Sequence, residues 1–149
     1  MKILLLSLMG LFATWYPLMG ADAGPHIKLA LHLAEDKPTE KCKEETVSST
    51  RQKVYLHPEA LLTEKDVAEA NVTQTDKGEP AISVIFTREG GKKMATLTEA
   101  NQGKRLAIVV DGKVINAPVI RSKIVDRAVI TGRFTKAEAE KIAKEINRK

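Results

Sequence analysis

Cysteine and histidine, two residue types that often act as nucleophiles, bases or metal ligands, are rare in this sequence. Cys42 is the one cysteine, and the three histidines are His26, His32 and His57. Cys42 lies in the polar run EDKPTEKCKEETVSSTRQK and His57 precedes a proline, so no spacing brings a nucleophile beside a base. One cysteine and three scattered histidines do not make a zinc site. We therefore predict a protein that is not an enzyme and has no metal or cofactor.

Cys42 has two other interpretations besides catalysis. An unpaired thiol cannot form an internal disulfide, so a free surface thiol and an intermolecular bridge both stay open. An enzyme that uses Cys42 would lose a thiol-dependent activity in a Cys42→Ser variant.

The start of the chain has the features of a signal peptide. An apolar run fills positions 3–20, and Ala21-Asp22-Ala23 follows it as a small-x-small cleavage site. We predict that residues 1–23 are removed by cleavage after Ala23 and that the rest is periplasmic or secreted. A retained membrane anchor is the alternative, because the run is about as long as a short spanning helix. We expect membrane association only through a partner or an uncleaved signal segment.

The charge and aromatic content bear on possible partners. The chain has a formal net charge of +5, which weakly favours acidic partners. Few aromatic side chains are available to stack on bases, so we expect no nucleic-acid partner. Four basic residues cluster late in the sequence and could meet an acidic surface: Arg121, Lys123, Arg127 and Arg133.

The remaining chain divides into three parts by its hydrophobic pattern. Residues 24–34 alternate between apolar and polar side chains, which predicts an N-terminal strand. Residues 35–52 are polar and aperiodic, which predicts a mobile linker. Residues 53–149 form the main domain. The predicted element order is ββ-(short α)-ββ-α-βββ-α, typical of an α+β two-layer sandwich in which two main helices pack on one face of a mainly antiparallel sheet.

Three helices are predicted from capping signals and apolar spacing. Thr63 and Asp66 resemble a capping box for a short helix. A second helix opens at Gly90-Gly91, with Met94 and Leu97 facing inward. The last helix begins after Thr135, where Glu138 completes a capping box, and its apolar stripe is Ala139, Ile142, Ala143 and Ile146.

Asp111-Gly112 lies between two apolar runs and predicts a tight hairpin turn, because a type I′ turn needs positive φ at both central residues. We interpret Asp111 as a residue of this turn, not as a catalytic acid. The simplest register pairs Val110 with Lys113, Val109 with Val114, Ile108 with Ile115 and Ala107 with Asn116. One face then carries Leu106, Ile108, Val110, Ile115 and Ala117, and the other carries Ala107, Val109, Val114 and Asn116.

This second face lacks the polar side chains of an ordinary solvent-facing sheet surface. Two helices cover only one side of the sheet, so we expect this face, with Ile85 and Val129 as a possible extension, to be free for a partner. The alternative is that the N-terminal strand or the linker folds over it. A second route to binding is strand addition at a sheet edge near Val119 and Ile120. The candidate partner-binding residues are Ala107, Val109, Val114, Asn116, Val119 and Arg121.

The run GKRLAIVVDGKVINAPVI, followed by AVITGRFTKAEAEKIA, resembles the head subdomain of the first periplasmic domain of the SecD/SecDF protein-export subunit. The upstream segments LLTEKDVAEANV and PAISVIFTREGGKKMATLTEANQGK are similar to the same family. The chain differs from the family at Arg133, where asparagine is usual. We expect a stand-alone version of the subdomain. The resemblance implies a fold and contact with polypeptides, and does not imply a translocation motor.

Two functions follow from these observations. The first is an exported, non-enzymatic binding module that contacts unfolded or extended polypeptide, or an envelope membrane protein, in protein export. The second is a regulatory or sensory module that acts on a membrane partner without binding export cargo.

Overall fold

The computed structural model describes residues 28–148, so the predicted signal peptide and its cleavage site lie outside the described residues. A short 3-10 turn, Glu64–Asp66, joins the third strand to the fourth. In chain order the strands and helices are β1 (Leu29–Glu35), β2 (Lys43–Thr46), β3 (Lys53–Thr63), β4 (Val67–Gln74), β5 (Pro80–Phe86), α1 (Arg88–Ala100), β6 (Arg105–Val110), β7 (Lys113–Asn116), β8 (Arg127–Ile130) and α2 (Lys136–Ile146).

The strands form two antiparallel sheets, one with the order β2-β3-β1-β6-β7 and one with the order β4-β5-β8. Together with the two helices they make an α+β fold, which confirms the predicted class. The sequence analysis expected one sheet, whereas the structure has two. The division occurs after β3, where the 3-10 turn interrupts the extended chain.

The main core lies between the two sheets and the two helices. Apolar side chains from both sheets and both helices meet there. Members of this cluster include Leu31, Ile82, Met94, Ile108, Ile130 and Ile142. Burial of such side chains is the largest favourable contribution to folding. Because both sheets and both helices contribute to this one cluster, the eight strands and two helices fold as one unit.

A smaller apolar cluster lies on the opposite face of the five-stranded sheet. Val47 lies at its centre and is almost fully buried, with Ala34, Val54, Leu56, Ala107, Val109, Val114 and Ala117 around it. Val47 belongs to residues 35–52, the segment predicted to be a mobile linker. That prediction is wrong, because the segment contains β2 and a turn that packs on the sheet. Burial of Val47, pairing of β2 with β3 and hydrogen bonds to β7 all attach the segment.

The prediction of a short helix around residues 63–70 is also wrong in part. Only Glu64–Asp66 is helical, and Val67 already begins β4. The predicted capping contact at the start of this turn is present, since the Thr63 N–H donates to Asp66 Oδ2 over 3.1 Å. Val67 and Ala70 are buried as expected, but they reach the core from a strand.

The two main helices have the expected ends and inner faces. Thr87 caps α1 by accepting a hydrogen bond from Gly90 N–H, so α1 begins two residues before the predicted glycine pair. Thr135 and Glu138 form the predicted capping box of α2, whose predicted apolar stripe is buried. No helix within residues 28–148 is long and apolar enough to cross a membrane.

Close backbone contacts fix the position of α1. A Cβ atom on Gly90 would lie 2.1 Å from the Asp66 carbonyl oxygen, and one on Gly91 would lie 2.5 Å from the Val125 carbonyl oxygen. Thr98, fully buried in α1, accepts a hydrogen bond from Ile124 N–H over 2.9 Å. The loop that leads into β8 therefore lies directly against α1.

Candidate functional site

The Asp111-Gly112 turn is confirmed, with φ of 50° at Asp111 and 76° at Gly112. Val110 and Val109 pair with Lys113 and Val114 as predicted. Beyond them a register shift pairs Ile108 with Asn116, so the predicted register is wrong for the rest of the hairpin. A bulge adds one unpaired residue to a strand, and the alternating pattern does not reveal it.

The predicted docking face of this hairpin is covered. Ala107, Val109 and Val114 are buried in the smaller cluster beneath Val47. The Ser48 N–H donates to the Val114 carbonyl over 2.8 Å, which holds the covering turn on β7. The expectation of an exposed face is therefore wrong, and these side chains can contact a partner only if the turn moves away. The predicted extension is wrong as well, because Ile85 and Val129 belong to the other sheet.

The other three candidate residues have different surroundings. Asn116 is half-buried, and its side-chain amide donates to the Thr131 carbonyl and hydroxyl over 3.0 and 2.9 Å, which joins β7 to the end of β8. Val119 is 37% exposed and pairs with Arg105 in an isolated bridge, whereas the neighbouring Ile120 is buried. Arg121 is exposed. Val119 and Arg121 are thus the candidates that solvent reaches freely.

The described part of the chain has four sheet edges, and three of them are shielded in part. At β7, the Ser48 and Ser49 N–H groups donate to the carbonyls of Val114 and Ile115. At β4, the Asn147 side chain accepts from Ala70 N–H over 2.8 Å and donates to Ala70 C=O over 2.7 Å. The third edge, β2, is a four-residue strand of sequence KEET, and short charged strands discourage pairing.

The fourth edge, β8, has one strand neighbour, β5. The Phe86 N–H donates to the Asp126 carbonyl over 2.9 Å, which makes these two residues a hydrogen-bonded pair. Because such pairs alternate along an antiparallel ladder, Ala128 and Ile130 also bond to β5. Arg127 and Val129 therefore direct their backbone N–H and C=O groups away from the sheet. These groups are available to another extended chain.

Exposed apolar side chains concentrate beside this edge. Among the described residues, four large apolar side chains are exposed, and three of them lie between positions 119 and 129: Val119 at 37%, Val125 at 53% and Val129 at 51%. The fourth is Val72 on β4. Isolated exposed valines are ordinary, but three within eleven residues next to an unpaired edge indicate an interaction surface.

An apolar cavity of about 160 Å³ opens beside the same edge, between the two sheets. Ala128, Val129 and Ile130 of β8 form one wall, and Pro118 and Ile124 of the preceding loop form another. All of its lining residues are apolar. We call β8 and this cavity together the β8 edge site. Sequence reasoning missed the cavity because its walls come from residues about a hundred positions apart.

The charged groups around the β8 edge site are mostly basic. Arg121 and Lys123 on the preceding loop and Arg127 on β8 are all exposed, whereas Arg133, also exposed, follows β8 and lines a different cavity with Phe134. Lys123 pairs with Glu99 of α1 at 2.9 Å, and Arg127 lies 4.0 Å from Asp126. Ion pairs this exposed contribute little to stability, so these side chains can rearrange toward an acidic partner.

The titratable groups with shifted pKa values support the fold. Burial raises the pKa of Asp66, but hydrogen bonds from Lys93 Nζ at 2.7 Å and Thr63 N–H outweigh it, and the pKa lies below its usual value. The pKa of Glu35 is lowered mainly by a hydrogen bond with His57, and Lys104 adds to the effect. Both carboxylates hold neighbouring elements together.

The residues first considered for catalysis do not come together. Cys42 is a half-exposed free thiol at the start of β2. His57 contacts Glu35 at 3.2 Å, and its carbonyl contacts the ring of His32 at 3.0 Å. Within residues 28–148, no three His, Cys, Asp or Glu side chains are grouped so that they could hold a metal ion.

An unpaired strand edge beside an apolar cavity is an arrangement to which extended peptides bind in other protein domains. The family model of the SecDF P1 head subdomain matches residues 39–148, and the chain belongs to this family. The head subdomain is a non-catalytic translocase component, in agreement with the prediction that the chain is not an enzyme. The P1 domain of SecDF is periplasmic.

Relatives and solved structures agree with this family. The protein translocase subunit SecD of Aquifex aeolicus is 39% identical over 132 residues, which cover 85% of this chain and 26% of that protein. SecDF of Thermus thermophilus is 49% identical over 84 residues, which cover 56% of this chain and 11% of that protein. The chain thus corresponds to about a quarter or less of these relatives' lengths.

Two solved structures have the same fold. A SecDF structure, described as that of a membrane component that enhances protein export, superposes with a TM-score of 0.67 at 31% identity, covering 82% of this chain and 62% of that chain. SecDF in a super-membrane-facing form gives a TM-score of 0.68 at 32% identity, covering 82% of this chain and 19% of that chain. The predicted resemblance is therefore confirmed, and it links the chain to protein export.

Proposed function

We propose that this chain is an exported, non-enzymatic binding module that contacts extended polypeptide during protein export, and that it does so at the edge of β8. The proposal depends most on one observation: β7 and β4 have hydrogen bonds to part of their outer edge and β2 is short and charged, whereas β8 combines outward backbone groups at Arg127 and Val129 with an adjacent apolar cavity. An extended chain added to such an edge gains main-chain hydrogen bonds that do not depend on its sequence. That suits a module which meets many different polypeptides.

The export of the chain is part of the proposal. The apolar run at positions 3–20 and the small-x-small site ending at Ala23 support a signal peptide. The names of the relatives, subunits of a protein translocase, support a role beside the export machinery. An envelope membrane protein as the partner, with a regulatory role and no cargo, is the alternative.

Photo-crosslinking in cells distinguishes these two functions. A photoreactive residue replaces Val129 at the β8 edge, and the same residue replaces Val72, an exposed valine on the opposite edge strand of the same sheet, as the matched control. The readout is adduct formation with one model export substrate, made in an unfolded form and in a stably folded form. We expect adducts with the unfolded form from position 129 only. Equal yields at both positions, or adducts with an envelope protein alone, would contradict the proposal.

Proline substitution tests the backbone contact itself. Val129→Pro removes an outward-pointing N–H and no bond of the sheet, and proline is tolerated at such edge positions. Its matched control is Thr46→Pro on β2. There the Val47 N–H bonds to the Gln52 carbonyl, so the neighbouring Thr46 N–H also points outward. We expect Val129→Pro to weaken polypeptide binding about tenfold or more, and Thr46→Pro to leave it unchanged. Equal effects of the two variants would refute the use of β8.

A further inference from the structure

We propose that the cavity of the β8 edge site receives one apolar side chain of the bound polypeptide and so selects which extended segments bind; this inference rests on the proposed function. The cavity shares a wall with the unpaired edge, since Ala128, Val129 and Ile130 both form β8 and line the cavity. A strand that pairs with β8 therefore runs along the cavity.

The alternation of side chains in a strand determines which residues of the segment reach the cavity. Ala128 and Ile130 point toward the core, whereas Arg127 and Val129 point to the outer face of the sheet. Every second side chain of an added strand lies on the inner side, level with Ala128 and Ile130. Such a side chain lies on the side of the sheet where Ala128 and Ile130 line the cavity.

The size and lining of the cavity define the side chain that fits. A volume of about 160 Å³ is close to that of an apolar protein cavity, about 150 Å³, that binds benzene. One leucine, isoleucine, methionine or phenylalanine side chain therefore fills it. A charged or amide side chain is excluded, because the apolar walls offer it no hydrogen-bond partner.

The basic surroundings add a second preference. Outer-side residues of the added strand lie next to Arg127 and Val129, and Arg121 and Lys123 lie on the loop just before β8. An acidic residue on the outer side of the segment is thus favoured over a basic one. The preferred segment alternates apolar inner residues with polar or acidic outer residues.

The test measures binding of dye-labelled eight-residue peptides to the full chain by fluorescence anisotropy. The peptides share one alternating, extended sequence and differ at one central inner position, which is leucine, alanine or aspartate. We expect the leucine peptide to bind roughly 50-fold more tightly than the alanine peptide, from the burial of three more carbon atoms. The aspartate peptide should bind more weakly than either.

A cavity-filling variant provides the matched control. Ala128→Leu places a larger side chain in the cavity and leaves the outward N–H groups of Arg127 and Val129 in place. We expect it to remove the preference for leucine over alanine, so that the two peptides bind with equal affinity. Ala128→Val, a smaller change, should reduce the preference in part, and thermal unfolding checks that both variants fold.

Each outcome of the peptide series has a definite meaning. Equal affinities for the leucine and alanine peptides would overturn the selection by the cavity and leave the proposed function standing. No binding of any peptide would overturn both.

Discussion

The side chain of Asn147 takes the place of a neighbouring strand at the edge of β4. Its amide accepts a hydrogen bond from Ala70 N–H over 2.8 Å and donates one to Ala70 C=O over 2.7 Å, although the two residues are 77 positions apart. Ala70 itself is almost fully buried. The substitution Asn147→Ala therefore removes both bonds and leaves a backbone donor and acceptor without partners.

The size of the effect follows from the two lost bonds. A protein hydrogen bond contributes on the order of 1 kcal/mol net, so Asn147→Ala should lower the free energy of unfolding by about 2 kcal/mol. The same energy corresponds to roughly 30-fold faster exchange of the Ala70 amide proton, if exchange is limited by local opening. Asn147→Asp, which keeps the acceptor and loses the donor, should have a smaller effect on this proton.

Hydrogen exchange followed by NMR, together with urea unfolding, measures both quantities. The matched control is Asn71→Ala on the same strand, because the Asn71 amide bonds only to the exposed Glu69 carboxylate, at 2.8 Å. We expect the control to change stability by less than about 0.5 kcal/mol. If Asn147→Ala leaves both the unfolding midpoint and the Ala70 exchange rate unchanged, Asn147 does not protect the β4 edge.

Three other substitutions test the packing and the charges. Gly90→Ala should destabilise the protein by about 2 kcal/mol in urea unfolding, because the clash with the Asp66 carbonyl exceeds the gain in helix propensity. The control, Lys92→Ala on the exposed side of α1, should leave the free energy of unfolding nearly unchanged. Val47→Ala should cost about 2 kcal/mol in the same assay and raise binding of a hydrophobic dye, and an unchanged stability would show that the covering turn is not held by this side chain. Lys93→Met should lower the free energy of unfolding by about 1 kcal/mol above pH 5, because it removes the ion pair with Asp66. The pKa of Asp66 is lowered in the folded state, so this loss should fade as the pH falls through that pKa. A loss that does not depend on pH would contradict the ion pair.

Local chemistry made several elements predictable from the sequence. The Asp111-Gly112 turn and the capping box of α2 depend on residues within four positions of each other, and both are present. The apolar stripe of α2 was equally readable, because a helical period places its members on one face. The resemblance to the SecDF head subdomain was also detectable in the sequence, and the family model covers residues 39–148.

The errors concern contacts between distant parts of the chain. Residues 35–52 have the composition of a linker, and only the position of Val47 over the sheet shows otherwise. The spacing of Val67 and Ala70 fits one turn of helix, but pairing with β5 imposes a strand. The sequence leaves two alternatives for the hairpin face, free or covered by the N-terminal strand or the linker, and gives no sign of the open β8 edge. Both features depend on what lies beside a strand in space.

The buried hydroxyl of Thr98 has a mechanical consequence. Ile124 N–H bonds to it, and the Val125 carbonyl lies against Gly91, so the loop before β8 is fastened to α1 at two points about two helical turns apart. A pulling force on a polypeptide paired with β8 would therefore be transmitted to α1 through these two contacts, and would not first extend a flexible loop. The strand and the helix then move as a single stiff body under tension.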